Sequence, residues 1–143
     1  MPRVSTGPEP AELVVVDASI VVALVATRAG DTRALAERLD GCLLHAPTHL
    51  AVEVDSALRG LERGRRLTQA QAEAARAQAA GLPIDLWSWS LVADRAWDLR
   101  HVLTSYDAGY VALAERLGAT LLTGDARLAR SGVVRCPIEV APQ

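Results

Sequence analysis

The run Leu13-Val14-Val15-Val16-Asp17 constrains this chain more than any other segment. Four consecutive apolar residues, three of them β-branched, suit a strand covered on both faces, as in a parallel sheet. A half-solvated strand would alternate apolar with polar positions instead. A doubly buried strand needs helices above and below it, so the run asks for an α/β architecture. The carboxylate that ends it then falls where open α/β sheets bind ligands, outside the carboxyl ends of the strands.

The remaining chain supplies matching partners. Residues 42–45, 84–87 and 119–123 read as further buried strands, and 133–140 as an extended piece broken by Pro137. Residues 18–27 form an apolar helix closed by Gly30; 31–40 follow as a helix capped by Asp31 and stopped by Gly41. Residues 48–63 are amphipathic, with Leu50, Val54, Ala57, Leu58 and Leu61 on one side and Gly64 as the stop. Thr68 with Gln71 three residues later is a capping box for an alanine-rich helix that ends at Gly81 and Pro83. Helices over 90–100, 105–117 and 126–130 complete the pattern. Strands alternating with helices predict a three-layer α/β/α sandwich around a mostly parallel central sheet of four to five strands. The 143 residues suit one domain, taken as 13–143, behind a loose proline-containing tail over 1–12.

Half of the chain is apolar, enough for a real core, and the net charge is −2. That balance excludes a protein that coats nucleic acid through bulk charge, though it permits local basic contacts. No apolar run approaches the roughly 20 residues that span a bilayer, so a soluble, cytoplasmic protein with no membrane contact is expected. Cys42 and Cys136 have no metal-binding spacing and read as buried free thiols of a reducing compartment. His45, His49 and His101 are isolated and read as structural or surface residues, with His45 the one nearest a strand end. Trp87, Trp89 and Trp97 read as aromatic bulk for a core that lacks phenylalanine, rather than as base-stacking platforms.

Four acids do not fit so simply. Asp17 and Asp125 each follow an apolar run and precede a helix, where an N-cap role would explain either one alone. Glu53 lies at the edge of the apolar stripe of its helix, between Val52 and Val54. Asp107 stands in the first turn of a helix that continues Ala108, Tyr110, Val111, Ala112, Leu113. Four such placements are hard to explain as independent accidents. If the acids converge, two carboxylates about 5 Å apart repel by roughly 3 kcal/mol at an effective dielectric near 20. A cation is then required, and an all-oxygen donor set selects Mg²⁺, with Mn²⁺ as a substitute, over zinc.

The segments VVVDASIVVALV (14–25), APTHLAVEVDSALRGL (46–61) and LTSYDAGYVALAERLGATLLTGDARLA (103–129) resemble the successive motifs of PIN domains. More narrowly they resemble the VapC toxins of bacterial toxin–antitoxin pairs. The resemblance runs from about Leu13 to the C-terminus and implies that the family's acidic quartet falls on Asp17, Glu53, Asp107 and Asp125. Ser19 and Thr123 match its small hydroxyl positions beside the acids. Many relatives carry asparagine three residues after the glutamate, where this chain has Ser56, a departure that touches fine positioning rather than chemistry.

What the resemblance implies is a magnesium-dependent endoribonuclease that leaves 5′-phosphate and 3′-hydroxyl ends. Asp17 and Asp107 would be the surest metal ligands, Asp125 a ligand directly or through water, and Glu53 either a ligand or the group that orients the attacking water. A VapB-type antitoxin and a homodimer are the expected partners besides RNA. The basic run Arg59, Arg63, Arg65, Arg66 reads as a solvated helix end or as a contact for RNA phosphate or a partner. Two other readings stay open: a PIN-like module that binds RNA or protein without cutting, and a magnesium-dependent hydrolase of small phosphate esters. The second is weakened by Ala18-Ser19 after Asp17, in place of an Asp-x-Asp nucleophile pattern, and by the lack of a Walker-type glycine loop.

Overall fold

In the computed structural model, which describes residues 7–27 and 29–142, Val14, Val15 and Val16 are wholly shielded from solvent. They form strand β1 (Leu13–Val16), followed by helices α1 (Ala18–Ala26) and α2 (Ala29–Leu39) and strand β2 (Leu43–Pro47). Helices α3 (Leu50–Arg63) and α4 (Gln69–Gly81) lead to β3 (Ile84–Trp87). A 3₁₀ turn (Trp89–Leu91), α5 (Ala93–Asp98) and α6 (Ser105–Leu117) lead to β4 (Thr120–Thr123); α7 (Ala126–Ala129) and β5 (Ile138–Val140) follow.

The five strands lie in the order β3-β2-β1-β4-β5, and every pairing is parallel. β1 is paired on both sides, Val14 with Leu44 of β2 and with Thr120 of β4. The chain steps outward from β1 to β3, then crosses back to place β4 on the other side. Right-handed crossovers in opposite directions put helices on opposite faces of a sheet. Accordingly α1, α3 and α4 pack on one another, while α6 lies across β1, β2 and β4 with α5 against it. The α/β fold expected from the strand–helix alternation is the one observed.

Several boundaries differ from the sequence reading. The second helix begins at Ala29, so Gly30 and Asp31 lie in its first turn instead of ending one helix and capping the next. First-turn N–H groups have no intrahelical acceptor, which makes glycine cheap there. The segment 90–100 is two short helices joined at Val92, a buried residue with φ −119° and ψ −8°. Trp97 is not core bulk: it is 65% exposed and carries the Arg100 guanidinium 4.5 Å from its ring centroid. Trp89 is also exposed, and Trp87 is half-buried. Both cysteines are free but only half-buried, and burial pushes the Cys136 thiol up to about 11, which leaves it unreactive. The first six residues of the 1–12 tail lie outside the described ones; residues 7–12 are exposed and carry no helix or strand. Among the described residues no helix is long and apolar enough to cross a membrane.

Local signals act where they were read. Thr68 and Gln71 form the reciprocal capping box of α4, and Gly118 closes α6 at φ 62°, the left-handed region glycine tolerates. Thr104 caps α6 by accepting from the Asp107 N–H at 3.2 Å. Thr104→Ala should therefore cost about 1 kcal/mol. Urea unfolding would register this as a lower midpoint at unchanged slope.

Candidate active site

Chain order reverses between β1 and β4, and the carboxyl ends of those two neighbours open a crevice. Asp17 follows β1 there, buried at 8% exposure. Its Oδ1 accepts from the Ser19 hydroxyl at 2.5 Å and from the Ile20 N–H at 3.2 Å; its Oδ2 accepts from the Thr123 hydroxyl at 2.5 Å. Three donors on a carboxylate with about four acceptor positions hold it while leaving room for one more partner. The two hydroxyls are held in turn, Ser19 by the Gly124 N–H at 2.9 Å and Thr123 by the Asp125 N–H at 3.0 Å. Asp17 is thus both the N-cap of α1 and the centre of a polar network.

Asp125 caps α7 from the end of β4. Its own helix covers it: Arg127 donates from its backbone N to Oδ1 at 2.9 Å, from Nε to Oδ1 at 3.0 Å, and from Nη2 to Oδ2 at 2.7 Å. The Arg127 guanidinium holds the Asp125 carboxyl below its ordinary range.

Glu53 and Asp107 arrive on helix N-termini, in the first turns of α3 and α6, where the dipole favours a negative charge. Tyr110, one turn beyond Asp107 on α6, is buried and donates its hydroxyl to Glu53 Oε1 at 2.7 Å. Burial is the main reason the Glu53 carboxyl is pushed above its ordinary range; Asp107 and Asp17 add repulsion, while Tyr110 and His49 pull it back. Burial likewise pushes Asp107 up, with Asp125 and Asp17 the next causes. The Tyr110 phenol is driven far up by burial and by Glu53, so it remains a donor. Glu53 thus feels Asp107 and Asp17, and Asp107 feels Asp125 and Asp17, so the four acids are linked chiefly through Asp107.

His49, read from the sequence as structural or surface, stands in the site. It lies four residues before Glu53 and so shares its helix face. Its Nε2 is 3.1 Å from the Tyr106 carbonyl oxygen and 3.5 Å from Glu53 Oε1. A carbonyl can only accept, so Nε2 carries the proton. The imidazole is packed edge-on among Tyr110, Trp89 and Tyr106, with ring centroids 4.9, 5.5 and 5.9 Å away. Gly109 makes this possible: a Cβ there would lie 2.6 Å from His49 Cε1 and 2.7 Å from Trp89 Cζ3. The signals for these residues were present as spacings, His49 four before Glu53 and Tyr110 three after Asp107. His45, by contrast, accepts from Trp87 Nε1 at 3.1 Å within β2–β3, and His101 is exposed. Arg59, Arg63, Arg65 and Arg66 are exposed at the far end of α3 from Glu53, with Arg65 at φ 57°.

The donor set suits a hard divalent cation in kind, being entirely oxygen. Among the described residues, however, no three His, Cys, Asp or Glu side chains are grouped as a finished metal cage. One of the four acids, Asp125, is instead paired with Arg127.

A family model described as PIN domain matches residues 14–133. Ribonuclease VapC3 of Mycobacterium tuberculosis is 42% identical over 122 residues, covering 85% of this chain and 89% of the relative. The crystal structure of M. tuberculosis VapC20, described as a sarcin-ricin loop cleaving toxin, is 25% identical with a TM-score of 0.57, covering 90% of this chain and 99% of that one. VapBC2 from Rickettsia felis, bound to a promoter DNA fragment, shares the fold at 10% identity and a TM-score of 0.64, covering 91% and 99%.

The raised carboxyls give a signed expectation. A carboxyl whose folded pKa exceeds its unfolded value supports the fold below the unfolded value, and that support is lost as pH rises through the folded one. Glu53→Gln and Asp107→Asn should therefore raise the melting temperature of the EDTA-treated protein at about pH 8, and the gain should shrink toward about pH 4. A lower melting temperature for both variants at the higher pH would contradict the burial and repulsion described above.

Proposed function

Since the chain belongs to the PIN-domain family, and within it to the VapC ribonucleases, we propose that it is a divalent-metal-dependent endoribonuclease. The observation that carries this reading is the set of four carboxylates at the β1/β4 crevice, where burial first and then neighbouring acids push up Glu53 (Asp107 and Asp17) and Asp107 (Asp125 and Asp17). Such a cluster is poorly suited to structural work and well suited to neutralisation by Mg²⁺.

Asp17 and Asp107 would hold the metal, Asp125 would join them directly or through water, and Glu53 would complete the set or orient the attacking water. When bound, Mg²⁺ supplies a lowered pKa for water and charge stabilisation on the phosphoryl group and the leaving alkoxide. The chain's own part is positioning. Ser19 and Thr123 fix both oxygens of Asp17. Tyr110 donates to Oε1 of Glu53 and so fixes its orientation, with the His49 ring packed beside it. In-line attack on an RNA phosphodiester would leave a 5′-phosphate and a 3′-hydroxyl.

The same reading takes residues 13–143 as one nuclease domain and gives it a VapB-type antitoxin as partner, in a cytoplasmic setting. A homodimer is part of it; exposed Leu91, Trp97 and Val102 offer apolar surface for such contacts. The basic run Arg59, Arg63, Arg65, Arg66 would serve RNA phosphate or the partner.

Cleavage of a structured-RNA panel tests the proposal. EDTA should abolish cutting and Mg²⁺ restore it, while Asp17→Asn and Asp107→Asn should each lose more than the roughly 10–100-fold typical of a lost partner around a metal site. Thr123→Val should fall within that range. Full activity of either asparagine variant in EDTA would sink the mechanism, and turnover of small phosphate esters without RNA cutting would move the protein to another class.

A further inference from the structure

Arg127 lies on the surface, yet its side chain is committed to the site. Its side chain is 82% exposed, and every side-chain hydrogen bond it forms goes to one carboxylate, that of Asp125. The geometry is the planar fork on a carboxylate, the strongest arrangement an arginine makes. Counting the backbone N–H of Arg127, both oxygens of Asp125 are fully engaged. Asp17 is different: its donors come from Ser19, Ile20 and Thr123, all uncharged, and they leave an acceptor position open. One acid of the quartet is thus held by neutral groups and another by a cation. The cation's field also reaches Asp107, which is repelled by Asp125 and Asp17 and attracted by Arg127.

Two features make this cation exchangeable. An exposed guanidinium on a flexible stem gives up a surface pair at small cost. Asp125, meanwhile, keeps its place without it, because its N–H is anchored on the Thr123 hydroxyl and its Oδ1 still caps α7 through the backbone N–H of Arg127.

We propose that Arg127 is a displaceable counter-ion of the bare site, which occupies Asp125 until a divalent cation takes that carboxylate and the guanidinium swings out to the rim. This rests on the metal-dependent reading above. It gives the protein a built-in competitor that sets how much metal it needs.

The test is Mn²⁺ binding by calorimetry on the full chain, comparing wild type with Arg127→Gln and Arg127→Lys. Losing the competitor should tighten Mn²⁺ binding about threefold to fivefold in Arg127→Gln, the scale set by exposed ion pairs. Arg127→Lys keeps the charge without the fork and should fall between. In wild-type protein, NMR of the Arg127 Nε–H should give a protected signal in EDTA that loses its protection as Mg²⁺ is added. Unchanged or weaker Mn²⁺ binding in Arg127→Gln would overturn the inference and make the residue a clamp that positions Asp125. Metal binding with the Nε–H signal unmoved would overturn the exchange while leaving the nuclease reading intact. No metal binding by wild type or by either variant would remove the metal-dependent reading itself, and the exchange with it.

Discussion

Everything at this site depends on how one buried carboxylate is held. Asp17 ends the most buried strand of the sheet, where an unpaired charge would cost several kcal/mol. It is stabilised by one backbone N–H and two hydroxyls, and the hydroxyls come from opposite sides of the β1/β4 junction, Ser19 on α1 and Thr123 on β4. That bridge is possible only because the strand order reverses there and makes β1 and β4 neighbours. The arrangement leaves Asp17 charge without a counter-charge of its own. Its field reaches Glu53 and Asp107, adding to the burial that chiefly holds their protons more tightly.

Around that point the molecule uses a different kind of partner for each of the four acids. Asp17 has neutral donors, Glu53 has a phenol and an imidazole, Asp125 has a guanidinium, and Asp107 has chiefly the N-terminus of its own helix. Unequal partners separate the behaviour of chemically similar groups, which is how a single cleft can assign different roles to its carboxylates.

The sequence made the backbone legible wherever one local signal was sufficient. The valine run gave the central strand, Thr68 and Gln71 gave a helix start, and Gly118 gave a stop, because each acts through neighbours in the chain. The placements of Asp17 and Asp125 at strand ends and of Asp107 in a helix's first turn were readable too, since a pattern can locate such positions, whereas Glu53 joined them chiefly through the resemblance to PIN domains. What could not be read was anything decided across 40 or more residues. His49 shares a helix face with Glu53 by its spacing, but it is closed into the site because α6 approaches it at Gly109, a contact between segments distant in the chain. Trp97 is exposed because α5 is a single short element that turns it outward beside Arg100. The pairing of Arg127 with Asp125 spans only two residues, but the fork forms because the turn into α7 brings the two side chains together, which residue types alone do not show.

Asp17 also bears on motion. Active-site groups are often drawn from loops of low local stability, free to adapt. Here the central acid is fastened to two adjacent strands and a helix, so its carboxylate can move only if the sheet opens at its middle. Amide exchange around β1 and the end of β4 would then proceed with the slowest protons of the molecule. Adaptation to a bound molecule is left to side chains at the rim, such as Tyr106, which is 57% exposed. The floor of the crevice is rigid by construction, and whatever selectivity the cleft possesses has to be written in the parts that can still turn.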